Sequence, residues 1–372
     1  MLRGSAIASG RGKEKRRMPL GTCVSVCSLR LSLHSQDLFK GVGVVNGLNG
    51  FCRALLAAVL AIAIGGCTQS AVRNGRQTSP WPLKDASVAA TGIGSVLRIN
   101  SGEGAPRTVP VDHAAGQPSV TWLGQSAFII RLGGKVVMTD PMLSDTLEYK
   151  LPVKPVRLSS LPPNLDRLPR LDAVVISHLD HDHFDLPSLR RLAARFPAAR
   201  LFVPEGTESQ ARRTGFTHIE AVSLWKTARL GSLSFTALPA NHYGRRDVVG
   251  LDRSLAIGWE ISGAGRKIYF SGDTGYSGIF RQMRERRGRF DIALVPIGAW
   301  KPERTFADIH MNPDDALLAA SELGAAIAIG HHWGTFNFGR ESPAEARQRF
   351  LAAKAPGVRP VALDVGGTLH LE

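Results

Sequence analysis

Between Ala173 and Asp185 the chain passes from a short apolar run into a segment crowded with metal-ligand side chains. Ala173-Val174-Val175-Ile176 has the β-branched composition of a buried strand. Ser177-His178-Leu179-Asp180-His181-Asp182-His183-Phe184-Asp185 follows directly, and its positions 178–183 hold three His and two Asp. Imidazole and carboxylate are the donors that zinc and related divalent ions take in hydrolytic sites. On a loop at a strand end, alternate side chains converge while their neighbours point elsewhere. A solvated helix N-terminus is the competing explanation, but it gives no reason for such donor density after a buried strand. The chain is thereby constrained to a sheet fold that brings strand ends to one site.

Other apolar strands end in the same way. Leu238-Pro239-Ala240-Asn241-His242 delivers a His after 233–238, and Ser271-Gly272-Asp273-Thr274-Gly275 places an Asp inside a Gly-bounded turn. Ala325 to Gly330 runs into His331-His332-Trp333-Gly334-Thr335-Phe336. A single His at a strand end is usually structural; several such ends beside the 178–183 cluster point to one shared site.

From Pro118 onward, β-branched runs alternate with turns and helical stretches. Strands are expected at 120–123, 127–132, 135–140, 172–177, 200–204, 233–240, 255–262, 267–271, 292–297, 325–330 and 359–371. Gly133-Gly134 reads as the turn of a hairpin. Helical patterns cover 186–196, 206–214, 277–287, 313–323 and 343–353; Pro313-Asp314-Asp315 is a favourable helix start. No period recurs. This order predicts an α/β domain over 118–372, with two sheets packed face to face and helices outside. Its chemistry must run without thiols, because Cys23, Cys27, Cys52 and Cys67 all precede it.

The first hundred residues read as an address. Arg53 precedes the apolar run Ala54–Ile64, which is well short of the ~20 residues a spanning helix needs, and Gly65-Gly66-Cys67 follows. Residues 51–66 are therefore expected to be an export signal. Ile64-Gly65-Gly66-Cys67 resembles the bacterial lipobox, which implies a lipid on Cys67 and attachment to the cell envelope; Thr68 in place of Asp directs the expectation to the outer membrane of a Gram-negative cell. An ordinary signal peptide with an incidental cysteine is the alternative. Residues 1–50 are read as a start assigned too early or a basic extension, and 67–117, rich in Ser, Gly, Thr and Pro, as a flexible tether. The net charge is +15, and residues 1–66 hold +7 of it. The remainder suits a membrane surface, a phosphate-bearing substrate or nucleic acid.

The order of motifs resembles the metallo-β-lactamase superfamily, in the branch of N-acyl-phosphatidylethanolamine phospholipase D and ascorbate-6-phosphate lactonase. The resemblance rests on Thr121-Trp122-Leu123-Gly124, Thr139-Asp140-Pro141, the 177–185 cluster, Pro239 to His242 and Ser271 to Gly275. Pro296-Ile297-Gly298-Ala299, His310-Met311-Asn312-Pro313 and His332 to Phe336 complete it. It implies an αβ/βα four-layer sandwich and two divalent ions, zinc by the family's habit. The first ion would be held by His178, residue 180 and His242, the second by Asp182, His183 and His332, with Asp273 bridging. The family usually carries His where this chain has Asp180, and His181 lies one position later, so either could ligate. Gln125 stands where the relatives usually carry His, and would support the site from outside.

The implied chemistry is attack by a zinc-bound hydroxide, most readily on a phosphodiester of a phospholipid-like substrate. Asp182 would orient the hydroxide, and His310 would stabilise the oxyanion or donate a proton, with a structural role as its alternative. His331 is read as structural. Trp300, Trp333 and Phe336 are candidates for an acyl pocket or for the core. A lactonase or small-ester hydrolase on the same metals is the rival enzyme, and a metal-stabilised surface lipoprotein without activity the rival of another class. A nucleic-acid substrate is not expected of a short exported domain.

Overall fold

A computed structural model describes residues 104–114, 118–148, 155–246 and 253–371. The expectations for 1–50, 51–66 and 67–103, lipobox included, lie outside the described residues.

The first sheet opens with an antiparallel meander of β1 (Ser119–Trp122), β2 (Phe128–Leu132) and β3 (Lys135–Thr139). Both residues of the Gly133-Gly134 turn have positive φ, which matches the twist of the strands they join. Parallel pairing then takes over through β4 (Ala173–Val175), β5 (Arg200–Pro204) and β6 (His218–Val222). Helices α1 (Leu186–Arg195) and α2 (Glu208–Ala211) make the crossovers. Asp185 caps α1, its side chain accepting from the Ser188 N–H.

The second sheet repeats this plan. β7 (Thr227–Leu230), β8 (Leu233–Arg245), β9 (Arg253–Gly263) and β10 (Arg266–Phe270) are antiparallel neighbours. β11 (Ile292–Pro296), β12 (Ile327–His331) and β13 (Arg359–Val361) continue in parallel. Their crossovers contain α3 (Ile279–Arg287), α4 (Glu303–Phe306), α5 (Pro313–Glu322) and α6 (Pro343–Ala352). β14 (Thr368–His370) returns to the first sheet, so the strand orders are 14-1-2-3-4-5-6 and 13-12-11-10-9-8-7.

Strand alternation sorts the side chains into layers. Ala173 and Val175 face the second sheet in the main core, whereas Val174 and Ile176 pack with Leu189 and Leu192 of α1. Phe202 and Phe235, from different sheets, stack with ring centres 4.5 Å apart. Trp259 crosses the interface to donate from Nε1 to the Ile176 carbonyl at 2.9 Å. Phe280 of α3, Leu317 of α5 and Phe350 of α6 cover the far side of the second sheet. The result is a helix–sheet–sheet–helix sandwich, the α/β architecture expected.

Several boundaries differ from expectation. β6 and β7 depart from expectation because each is an outer strand of only four or five residues, mostly half-exposed or exposed, whose alternation is too short to stand out from a loop. The segment 359–371 does not form one strand: the turn at Gly366-Gly367 sends β13 to one sheet and β14 to the other. The helix expected at 206–214 shrinks to α2 followed by a 3-10 turn at Arg212–Thr214. Residues 104–114, assigned to the tether, are docked instead. Thr108 bridges to Val365, and Val111 is buried and paired with Asn164 through its N–H and carbonyl. The folded part thus begins ahead of Pro118. No helix among the described residues is long and apolar enough to cross a membrane.

Candidate metal centre

The parallel strands end at one rim, and the expected residues meet there. Asp140, in the left-handed region at φ 28°, terminates β3 beside the loop that leaves β4. Its Oδ1 accepts the Ser177 N–H at 2.7 Å, and its Oδ2 accepts from the Ser177 hydroxyl and stands 2.7 Å from His183 Nδ1. Ser177 Oγ lies 2.8 Å from His178 Nδ1. Since that hydroxyl gives its proton to Asp140, it accepts from His178, and both rings carry their hydrogen on Nδ1. Their Nε2 lone pairs are left for a cation. Outer contacts of this kind typically tune metal affinity or activity ten- to a hundredfold.

Loop curvature separates Asp180 from His181. The Asp180 carbonyl accepts from the N–H groups of His183 and Phe184, at 3.0 and 2.8 Å, closing a tight turn. Asp180 Oδ2 then lies 3.6 Å from Nε2 of both His178 and His242. His181 instead faces the Arg246 carbonyl, with Nε2 at 3.3 Å. Of the two alternatives, Asp180 is the one that joins the cluster.

His242 arrives through an irregularity of β8. Pro239 pairs with Ile257 and Tyr243 with Leu255, so three residues of β8 oppose one of β9. Such a bulge re-aims a side chain at a sheet rim. Asp273 follows β10 in a turn whose Gly272 has φ 56° and would place a Cβ 2.4 Å from Ser177 Cβ; the two donor-bearing loops touch there. His332 follows β12 at φ 60°, its N–H donating to the Gln125 carbonyl at 2.9 Å.

Asp273 Oδ2 is the hub. It lies 3.1 Å from Nε2 of His183 and of His332, 4.0 Å from Nε2 of His178, and 3.9 Å from Nδ1 of His310. Asp182 Oδ2 lies 3.1 Å from His332 Nε2 and 3.3 Å from His183 Nε2. Asp182, His183, Asp273 and His332 form one buried donor group; His178, Asp180 and His242 form another. All seven expected ligands thus fall into two adjoining sets, and His310 borders both.

Burial opposes charge on His183, but Asp273 and Asp182 outweigh it and hold the ring's pKa well above the usual range. The same contest raises His332 to about 9. Burial also opposes ionisation of Asp182 and Asp273, yet the facing imidazoles hold both carboxyls low. Asp180 is likewise held low, against burial, by His178 and His242. The carboxylates thus demand positive charge in the pocket, which protons on imidazole supply and a divalent cation supplies better. His178 Nε2, His242 Nε2 and Asp273 Oδ1 are buried without a hydrogen-bond partner, which also fits cation coordination. His310 differs: burial pulls its pKa down to about 3 and leaves the ring neutral.

Trp333 is core, stacked on Trp122 at 5.4 Å, and Trp300 is buried beneath Lys301 and Arg349. Phe336 packs with Met142, Leu147 and Phe338, and the Phe338 ring lies 5.8 Å from His332. His331 is held between Ser126 and Ser271, 3.1 Å from each hydroxyl, and points away from the donors. Sequence reasoning gave no role to Asp140. An Asp ending a strand is common, and only its left-handed backbone and its position across from Ser177 and His183 reveal the function.

Residues 135–333 match the Beta-lactamase superfamily domain. An uncharacterised protein of Mycobacterium tuberculosis is 34% identical over 258 residues, which cover 68% of this chain and 68% of that one. The N-acyl-phosphatidylethanolamine-hydrolyzing phospholipase D 1 of Caenorhabditis elegans is 32% identical over 270 residues, 66% of this chain and 75% of its own. Among solved structures, Igni18, a metallo hydrolase from Ignicoccus hospitalis, shares the fold with a TM-score of 0.52 and 24% identity. That match covers 68% of this chain and 98% of that one. With the strand-end donors at one rim, the fold and these relatives agree: the chain belongs to the metallo-β-lactamase superfamily and is a metal-dependent hydrolase.

Proposed function

We propose that this hydrolase is a phosphodiesterase of phospholipids, similar to N-acyl-phosphatidylethanolamine phospholipase D, working with two zinc ions. The observation that carries the reading is Asp273 Oδ2, which lies within 4.0 Å of imidazoles from both donor groups. One ion would be held by His178, Asp180 and His242, the other by Asp182, His183 and His332, with Asp273 between them. The likeness to the Caenorhabditis elegans phospholipase supports the substrate class.

Divalent ions there supply Lewis acidity and a water made acidic enough to attack at neutral pH, which a domain without cysteine otherwise lacks. Asp182, braced by Gln125, orients the nucleophile. His310 is neutral and buried, so it serves the reaction as a hydrogen-bond donor to charge growing on the phosphoryl group. A lipid on Cys67, with a basic remainder, would hold the domain at the envelope membrane, where phospholipid headgroups are concentrated.

The test is a side-by-side assay of zinc-loaded protein on N-acyl-phosphatidylethanolamine vesicles, a soluble phosphodiester, a lactone and a carboxylic ester. Phosphatidic acid release from the vesicles is expected. Stripping the metal should lower it on the order of 10³-fold, and zinc should restore it. Cleavage of the soluble phosphodiester alone would remove the lipid from this reading. Lactone or ester turnover alone would turn the site into a lactonase or esterase, and metal retention without any turnover would favour a stabilised surface lipoprotein. For the anchor, fatty-acid labelling in a bacterial host should vanish in Cys67→Ser; labelling that persists refutes it.

A further inference from the structure

Gln125 lies in the turn between β1 and β2, fully buried, with φ 48°. Its main chain is committed on both sides. The N–H donates to Thr335 Oγ1 at 2.7 Å, and the carbonyl accepts from the His332 N–H at 2.9 Å and from Trp122 Nε1 at 3.0 Å. Its side chain holds a donor of its own sheet: Nε2 donates to Asp182 Oδ2, on the loop after β4, at 2.7 Å. Asp182 also meets His183 and His332, but both are ligand candidates whose Nε2 a cation would claim. Gln125 is therefore the partner that can keep holding that oxygen once an ion is present.

An ionised carboxylate only accepts, so the amide must turn its NH₂ to Asp182. Gln125 Oε1 is then buried with no hydrogen-bond partner. Leaving an acceptor so placed is unfavourable. A methionine of similar length would fill the space without that cost, so packing does not account for the carboxamide. The bond to Asp182 does.

We propose that Gln125 is a positioning residue of the metal centre. Its carboxamide aims Asp182 while its main chain aims His332, so one residue sets the spacing between donors borne by different sheets. It acts through those two side chains and does not touch the reacting atoms. The inference rests on the ligand set proposed above.

The experiment compares the full chain with Gln125→Met, which keeps the volume, and Gln125→Asn, which keeps the amide one methylene short. Gln125→His is included to return an N–H donor. The readouts are zinc affinity by chelator competition, the visible spectrum of the cobalt-loaded protein and circular dichroism of the metal-free chain. Met and Asn should weaken zinc binding ten- to a hundredfold and shift the cobalt bands, with metal-free folding kept; His should recover much of both. Affinities and spectra of Met and Asn that match the parent overturn the inference. So does loss of metal-free folding in both, because the side chain would then serve the fold and not the carboxylate. If the parent chain itself takes up no zinc or cobalt, the ligand set fails first, so the two failures are told apart.

Discussion

Replacing Asp273 by Asn should reduce hydrolysis on the order of 10³-fold while leaving the sandwich folded. The substitution preserves shape and removes one negative charge from the point where His183, His332, His178 and His310 converge. Charge stabilisation by a metal centre is worth several kcal/mol, and each decade of rate corresponds to about 1.4 kcal/mol. Asn offers one neutral oxygen where a bridge requires an anion, so metal stoichiometry should fall together with turnover. Elemental analysis of the purified variant, beside turnover on the substrate cleaved by the parent chain, reads both. Full metal content with parental turnover would remove Asp273 from its central place. Residual turnover at reduced metal content would instead mean that one donor group suffices.

Gly298→Ala should be strongly damaging although it removes no donor. A Cβ on Gly298 would stand 1.9 Å from the His332 carbonyl oxygen and 3.2 Å from Trp333 Cα. These are main-chain atoms at the end of β12, where no flexible side chain can swing aside. Overpacking costs typically about 1–3 kcal/mol, and a backbone collision belongs at or above the upper end. In a domain of this size about 3 kcal/mol corresponds to a melting shift of roughly 6–12 °C. Any relaxation moves His332, so zinc affinity should fall as well. Gly278→Ala is the control, since nothing lies within 4 Å of its Cβ position. A melting temperature for Gly298→Ala equal to that of the control would show that the loop yields without cost.

Much of the centre was legible because its chemistry is local. Asp182 and His183 follow β4 almost directly, His332 follows β12 and Asp273 follows β10, so donor type after an apolar run was enough to pick them out. The choice between Asp180 and His181 was not legible. It depends on the turn closed at the Asp180 carbonyl, which rotates one side chain inward and its neighbour towards Arg246. Asp140 was hidden for a related reason: its value comes from a left-handed backbone and from partners 37 and 43 residues away. In the fold, strands buried on both faces announced themselves. β6 and β7, mostly half-exposed or exposed, carry no comparable pattern. The division of 359–371 between two sheets was signalled only by Gly366-Gly367, a cue shared by every tight turn.

The return of β14 to the first sheet bears on how the protein is made. Thr121 and Thr368, whose hydroxyls meet at 2.7 Å across β1 and β14, are 247 residues apart. A ribosome therefore releases β1 to β6 long before the outer neighbour of β1 exists. Until then one margin of that half stays open, with main-chain groups available to any passing strand. Closure over such a span adds little to the thermodynamic cost but slows assembly, since distant pairings form late. The interval between synthesis of β1 and arrival of β14 is the period in which a nascent chain of this design most needs a chaperone.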